Sequence, residues 1–202
     1  MTTNISPTAD LPRALIVIDM EQGFLDPSWG APHDLEGCRA NVAALIADFT
    51  GRGLPIVLVR HDSIHPHSPL RVGQSGNDFF PEVAAAVPDL LVTKTVNSSF
   101  LGTPDLAEWL RERGIDAIVL AGIQTNMCVE TTARMGGNLG FTVTVALDAT
   151  TTFPLSATGT TPNSPSLSAE QLIEATAVNL SGGGFAEVTT TESLLSRQSR
   201  FA

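Results

Sequence analysis

The chain has 202 residues, 43% hydrophobic and 16% charged, which suits one globular domain with a sizeable core and excludes a disordered chain. Its net charge of −10 with no basic run excludes a nucleic-acid footprint, and no apolar stretch approaches the ~18 residues of a membrane span. The first residues lack a basic flank followed by an apolar stretch, and Cys38 and Cys128 form no spaced framework, so a cytoplasmic protein with free thiols is expected.

Apolar runs of strand length alternate with segments of helical period. Residues 13–18 (RALIVI) form a strand-like run ending in Asp19, and residues 38–50 place Val42, Leu45, Ile46 and Phe49 at helical spacing before Gly51. Residues 55–59 (PIVLV) lead into Arg60, His61 and Asp62. A long stretch over 61–88, rich in Pro, Gly, His and Ser, then reads as a functional cover or an excursion. Residues 90–93 (LLVT) end in Lys94. Thr103 as N-cap and Pro104 at the first helical position predict a helix over 105–113 that Gly114 ends. Residues 117–121 (AIVLA) end in Gly122, a helix follows over 128–139, and residues 141–147 end in Asp148. The stretch 150–166 is almost entirely Thr, Ser, Pro, Gly and Ala and reads as loose. Ser168 with Gln171 three residues on forms a capping box for a helix over 168–180, and 185–189 is a weaker sixth strand. Gly182, Gly183 and Gly184 follow a helix rather than opening one, so they read as a turn and not a phosphate loop.

The strand runs are continuous rather than alternating, as in strands buried on both faces, and the alternation with helices predicts an α/β fold with a parallel sheet covered on both sides. One domain over 1–202 is expected, with flexible termini at 1–12 and 197–202.

In an open parallel sheet, ligands bind beyond the carboxyl ends of the strands. Asp19, Lys94 and Cys128 all fall at or just past such ends, so they can converge although far apart in sequence. Each also has a structural reading. A lone cysteine is usually a small buried hydrophobe, Asp19 could brace a turn, and Lys94 could be a solvated strand terminus. Lys94 is nevertheless the single lysine among eleven basic residues, the rest being arginine. A thiol at a helix N-terminus beside an ammonium is expected to have its pKa lowered toward neutrality. Asp19 could then accept the thiol proton and hand it to a leaving group, while backbone N–H groups of residues 122–128 surround the carbonyl under attack.

Three motifs carry a family resemblance: Asp19-Met20-Glu21-Gln22-Gly23-Phe24, Lys94 followed by Asn97-Ser98-Ser99-Phe100, and Ala121-Gly122-Ile123-Gln124-Thr125-Asn126-Met127-Cys128-Val129. Over residues 15–190 the chain resembles the isochorismatase-like cysteine hydrolases, which include nicotinamidases and N-carbamoylsarcosine amidohydrolases. The resemblance implies a three-layer Rossmann-like fold with a six-stranded parallel sheet flanked by helices on both faces. It also implies a catalytic triad of Asp19, Lys94 and Cys128, a cis peptide joining Ile123 to Gln124, and an oxyanion hole at the Gln124 and Cys128 amides. Isochorismatase itself works without a cysteine nucleophile, so Cys128 favours C–N bond hydrolysis through a thioester.

Phe24 and Trp29, on the Gly/Pro-rich loop after Asp19, read as walls of a substrate pocket or as core aromatics. His61 and Ile123 are placed with them as substrate-binding residues, and the loop with Gly73, Gly76 and Asn77 borders the pocket. Metal-dependent nicotinamidases carry Asp-x-His after the second strand, whereas here Asp62 is followed two positions later by Ile64. His61, His65 and His67 form a local cluster, but Pro66 and the loop setting favour solvated or substrate-facing histidines, so no metal and no cofactor is expected.

The resulting expectation is a cysteine-dependent hydrolase of a small amide, carbamoyl or related C–N substrate, acting as a homo-oligomer (dimer or tetramer) with no nucleic-acid or membrane partner. A metal-assisted nicotinamidase is the alternative within enzymes. A non-catalytic binding or assembly subunit is the alternative of another class.

Overall fold

The β-branched run of residues 13–18 forms the middle of a sheet, and the alternating directions of its side chains explain why it is apolar throughout. Leu15 and Val17 pack to one side with Val42, Leu45, Phe49 and Leu194, while Ala14, Ile16 and Ile18 pack to the other with Leu106, Leu110, Ala133 and Leu180. The structure is a computed structural model and describes residues 13–158 and 164–198.

In chain order the elements are β1 (Arg13–Ile18), α1 (Leu35–Gly51), β2 (Ile56–His61), α2 (Pro81–Ala84), β3 (Leu90–Lys94), α3 (Leu106–Glu112) and β4 (Ala117–Ile123). A π turn (Thr125–Val129) then runs into α4 (Glu130–Asn138), followed by β5 (Thr142–Thr151), β6 (Leu155–Ser156), β7 (Ser166–Leu167), α5 (Ala169–Gly182), β8 (Glu187–Thr189) and α6 (Thr191–Gln198). Six strands form one parallel sheet in the order β3-β2-β1-β4-β5-β8, with helices on both faces, as expected. The chain winds outward from β1 to β3, then returns to β4 and winds the other way. That reversal between β1 and β4 opens a crevice at their carboxyl ends.

Several elements depart from the sequence reading. Asp105, not Thr103, caps α3, its carboxylate accepting the Glu108 N–H at 3.0 Å. The Thr103–Pro104 peptide is cis, and Thr103 instead pairs with Thr93 of β3. The strand after residue 141 runs past Asp148 to Thr151. β4 advances from Leu120 to Gly122 while β5 advances from Val145 to Thr150, so an irregularity absorbs the extra residues and pairing resumes. Thr150, Thr151 and Thr152 are consequently buried rather than loose. Leu155–Ser156 and Ser166–Leu167 then pair antiparallel, and residues 159–163 lie outside the described residues. The capping box of Ser168 and Gln171 is present.

The 61–88 stretch is drawn against the end of β1. Gln22 N–H donates to Asp78 O at 2.8 Å, and Phe80 N–H to Met20 O at 2.9 Å. Gly76 lies so close to Pro69 that a Cβ would collide with its carbonyl, so the crossing requires glycine. The helix α6 carries regular structure through Gln198, while the expectations for 1–12 and 199–202 fall outside the described residues. Among the described residues no helix is long and apolar enough to cross a membrane.

Candidate active site

Three strand ends deliver the three reactive side chains. Asp19 follows β1 with φ 51°, a left-handed conformation that Asp tolerates better than most side chains, and its N–H still donates to Val59 O at 2.9 Å. Lys94 is the last residue of β3, and Cys128 sits in the π turn at the head of α4. Exposure falls to 0% at Asp19, 2% at Lys94 and 8% at Cys128. Lys94 Nζ lies 2.5 Å from Asp19 Oδ2, 3.3 Å from Cys128 Sγ and 3.2 Å from His61 Nδ1. Residues read from sequence as a dispersed trio therefore meet around one ammonium.

The electrostatics correct one expectation. Burial works against the Lys94 ammonium, but Asp19 and Cys128 beside it outweigh that and hold its pKa above the ordinary lysine value. The Cys128 thiol is pushed up, first by burial and then by Asp19, with Lys94 opposing. The expected depression toward neutrality does not occur, because the thiol shares its buried site with a carboxylate as well as an ammonium. Asp19 Oδ1 is buried without a hydrogen-bond partner, which leaves an open acceptor in the same cluster.

His61 is held from several sides. It pairs in register with Lys94 across β2 and β3, its N–H donates to Glu21 Oε2 at 2.8 Å, and its carbonyl accepts from Asn77 Nδ2 at 3.2 Å. Asn77 Nδ2 also faces Glu21 Oε1 at 3.0 Å, Leu70 O at 3.1 Å and Asp62 Oδ1 at 3.2 Å. Glu21 is fully buried, and burial followed by the nearby Asp19 pushes its pKa up to about 9. Sequence reasoning quoted Glu21 only as part of a motif. The available signal was its place two residues after Asp19, just past the carboxyl end of a strand, where ligands bind in an open parallel sheet.

On the far side of the crevice, the Ile123–Gln124 peptide is cis and Gly122 has φ 124°. A Cβ on Gly122 would collide with Ile18 O, so glycine lets β4 pass close to β1. Gln124 O accepts from the Met127 and Val129 N–H groups, both at 3.1 Å, which closes the turn that ends in Cys128. Thr125 Oγ1 donates to Thr150 Oγ1 at 2.9 Å, and Thr152 Oγ1 donates to Asn126 Oδ1 at 2.5 Å. The threonine run thus fixes the turn to the end of β5.

The four residues expected to bind substrate divide in two. Phe24 and Ile123 are buried in the core on the α1 side of the sheet, so their side chains pack, whereas Trp29 and His61 keep exposed surface. Phe24, Trp29 and Phe153, a residue not singled out from sequence, form an aromatic group with centroids 5.1 to 5.8 Å apart. His65 and His67 are exposed, and His61 turns to Lys94 instead of toward them. Among the described residues, the group that brings three metal-ligating side chains together is Asp19, His61 and Cys128, whose donor atoms lie within 4.8 Å of one another. The Lys94 ammonium contacts all three, so this donor set is already occupied by a cation and does not fit a resident metal.

Residues 13–193 match the sequence model of the Isochorismatase domain. The isochorismatase family protein YrdC of Bacillus subtilis (strain 168) is 35% identical over 141 residues, covering 70% of this chain and 74% of the relative. Nicotinamidase 3 of Arabidopsis thaliana is 30% identical over 183 residues, covering 84% of this chain and 81% of the relative. The crystal structure of an isochorismatase-family hydrolase from Chromobacterium violaceum ATCC 12472 superposes with a TM-score of 0.84 at 35% identity, covering 99% of this chain and all of the other. With the matching domain spanning nearly the whole chain and the six-stranded sheet in common, the protein belongs to the isochorismatase family of hydrolases.

Proposed function

We propose that the protein is a cysteine-dependent hydrolase of a small amide, carbamoyl or related C–N compound, working through a thioester. The observation that carries this reading is the Lys94 ammonium bound at once to Asp19 and Cys128, with the second Asp19 oxygen buried and unpartnered.

On this reading the Cys128 thiol gives its proton to Asp19 as Sγ attacks the substrate carbonyl. The proton transfer is local, so a raised thiol pKa does not prevent it. Lys94 offsets the negative charge that passes between carboxylate and sulfur. The Gln124 and Cys128 amides serve as the oxyanion donors for the tetrahedral intermediate. Collapse breaks the C–N bond, and the proton held on Asp19 goes to the departing nitrogen. Asp19, again a carboxylate, then takes a proton from the water that attacks the thioester, and sulfur leaves with that proton returned to it.

The test is turnover of a panel of primary amides, carbamoyl compounds and hydroxamates, followed by ammonia and acid release. Wild type is expected to hydrolyse at least one, and Cys128→Ser to lose about a thousandfold or more of that activity. Full activity in Cys128→Ser would overturn the reading. A metal-assisted nicotinamidase receives less support, because Ile64 stands where the motif requires histidine and His61 is committed to Lys94.

A further inference from the structure

The ammonium of Lys94 has three hydrogens, and three acceptors surround it: Asp19 Oδ2, His61 Nδ1 and Cys128 Sγ. A protonated lysine only donates, so the contact with Nδ1 requires the lone pair of that nitrogen. The hydrogen of the neutral imidazole is therefore on Nε2. Burial and then the neighbouring Lys94 also lower the pKa of His61, which keeps the ring neutral. Its backbone is clamped at both ends by Glu21 and Asn77, and the contact of Nδ1 with Lys94 holds the ring toward the cluster. Among the described residues Nε2 has no hydrogen-bond partner, and His61 keeps exposed surface where Asp19, Lys94 and Cys128 are buried. A ring nitrogen lies within 4.8 Å of both Cys128 Sγ and an Asp19 oxygen.

We propose that His61 is a specificity-determining residue whose Nε2–H is a fixed donor, selecting substrates that carry an uncharged lone-pair acceptor beside the scissile C–N bond. A cationic substituent at that place is disfavoured, since it would meet the positive end of the N–H with the Lys94 ammonium behind it. The description of the substrate as an amide rests on the hydrolase reading above. The donor role of His61 does not.

Benzamide and the three pyridine carboxamides test this, because they share size and shape and differ by exchanging one ring C–H for a lone pair. In wild type at least one pyridine isomer is expected to exceed benzamide about tenfold in kcat/KM, the size of one hydrogen bond between neutral groups. In His61→Phe the preference is expected to fall to about twofold or less. Loss of Nδ1 also disturbs Lys94, but that acts on all four compounds alike and cancels in the ratio. His61→Asn, whose amide oxygen can accept from Lys94, guards against a collapsed site and is expected to recover benzamide turnover without the full preference. Calorimetric binding of the same four compounds to Cys128→Ser, with and without His61→Phe, repeats the comparison without chemistry. A binding preference without wild-type turnover would keep the role of His61 and remove the hydrolase reading, and turnover without preference would do the reverse. A preference that survives in His61→Phe, or four compounds that do not differ in either assay, would overturn the proposal.

Discussion

Glu21 Oε2 accepts the backbone N–H of His61 across 2.8 Å and so ties the end of β1 to the end of β2, directly behind the residues that meet at Lys94. Burial, and then Asp19, raise the Glu21 carboxyl from 4.5 to about 9. The folded protein therefore keeps a proton that the unfolded chain releases. Glu21's share of stability is fully present below the unfolded value of 4.5 and is lost as pH rises through about 9. In Glu21→Gln an amide N–H replaces an oxygen that accepts from His61 or Asn77, which is expected to cost about 1–3 kcal/mol near neutrality. The variant should also lose the fall in stability across the window from 4.5 to about 9. Urea midpoints over that window check this, and parallel curves for the two proteins would place the proton elsewhere.

Asp19 both raises the pKa of the Cys128 thiol and, on the proposed mechanism, accepts its proton. Those roles predict opposite responses to one substitution. In Asp19→Asn the carboxylate no longer disfavours thiolate, so alkylation of Cys128 by iodoacetamide is expected to speed up several-fold at neutral pH. Hydrolysis is expected to fall about a hundredfold or more, since the proton has lost its acceptor. Cys38, buried and raised to about 12, supplies an internal control that stays slow. If alkylation and hydrolysis dropped together, Asp19 would be taking the thiol proton in both reactions, and its repulsion of the thiolate would be the lesser effect.

Where the backbone obeys local patterning, the fold and the site were legible. The apolar runs of β1 and β4 end where the reactive residues begin, because strands buried on both faces leave polar groups only at their tips. The threonines after Leu147 were not legible as a strand, since nothing in a run of Thr, Ser and Pro reveals an irregularity that re-pairs Thr150 with Gly122. Nor was the direction of the Cys128 shift. A helix N-terminus and a lysine can be seen in sequence, whereas the burial that outweighs them exists only after the sheet has formed. Asn77 was visible as a loop residue, but its link to Glu21 joins positions far apart in the chain.

Thr152 tests whether the buried threonines matter to the turn that carries Cys128. Its hydroxyl donates to Asn126 Oδ1, and its side chain is fully buried. Thr152→Val preserves volume and removes the donor, leaving an amide oxygen without that partner. A loss of about 1 kcal/mol in unfolding free energy is expected. A severalfold fall in kcat should accompany it, with little change in KM, because the turn presents the nucleophile rather than holding the substrate. Thermal unfolding and steady-state rates read the two effects, and a fall in KM affinity alone would move Thr152 into the binding surface.

The single lysine of the chain finds its reason in what surrounds it. Lys94 is fully desolvated, and its three hydrogens reach an oxygen, a nitrogen and a sulfur from three strand ends. A compact ammonium can do this, whereas a guanidinium is a planar fork whose donors cannot converge on those three atoms. Lys94→Arg is expected to keep the charge yet lose about a hundredfold in kcat/KM, through misplacement of Asp19 and Cys128. Lys94→Met removes the charge, strands the buried Asp19 carboxylate and should destabilise the protein by about 3–5 kcal/mol. The Asp19→Asn, Lys94→Met double variant should recover much of that stability while remaining inactive, because no charge is then left unpaired. Chemical denaturation of wild type, Asp19→Asn, Lys94→Met and the double variant supplies the cycle. If Lys94→Arg matched wild type in rate, a positive charge anywhere near sulfur would suffice, and the three-way contact would be packing rather than chemistry.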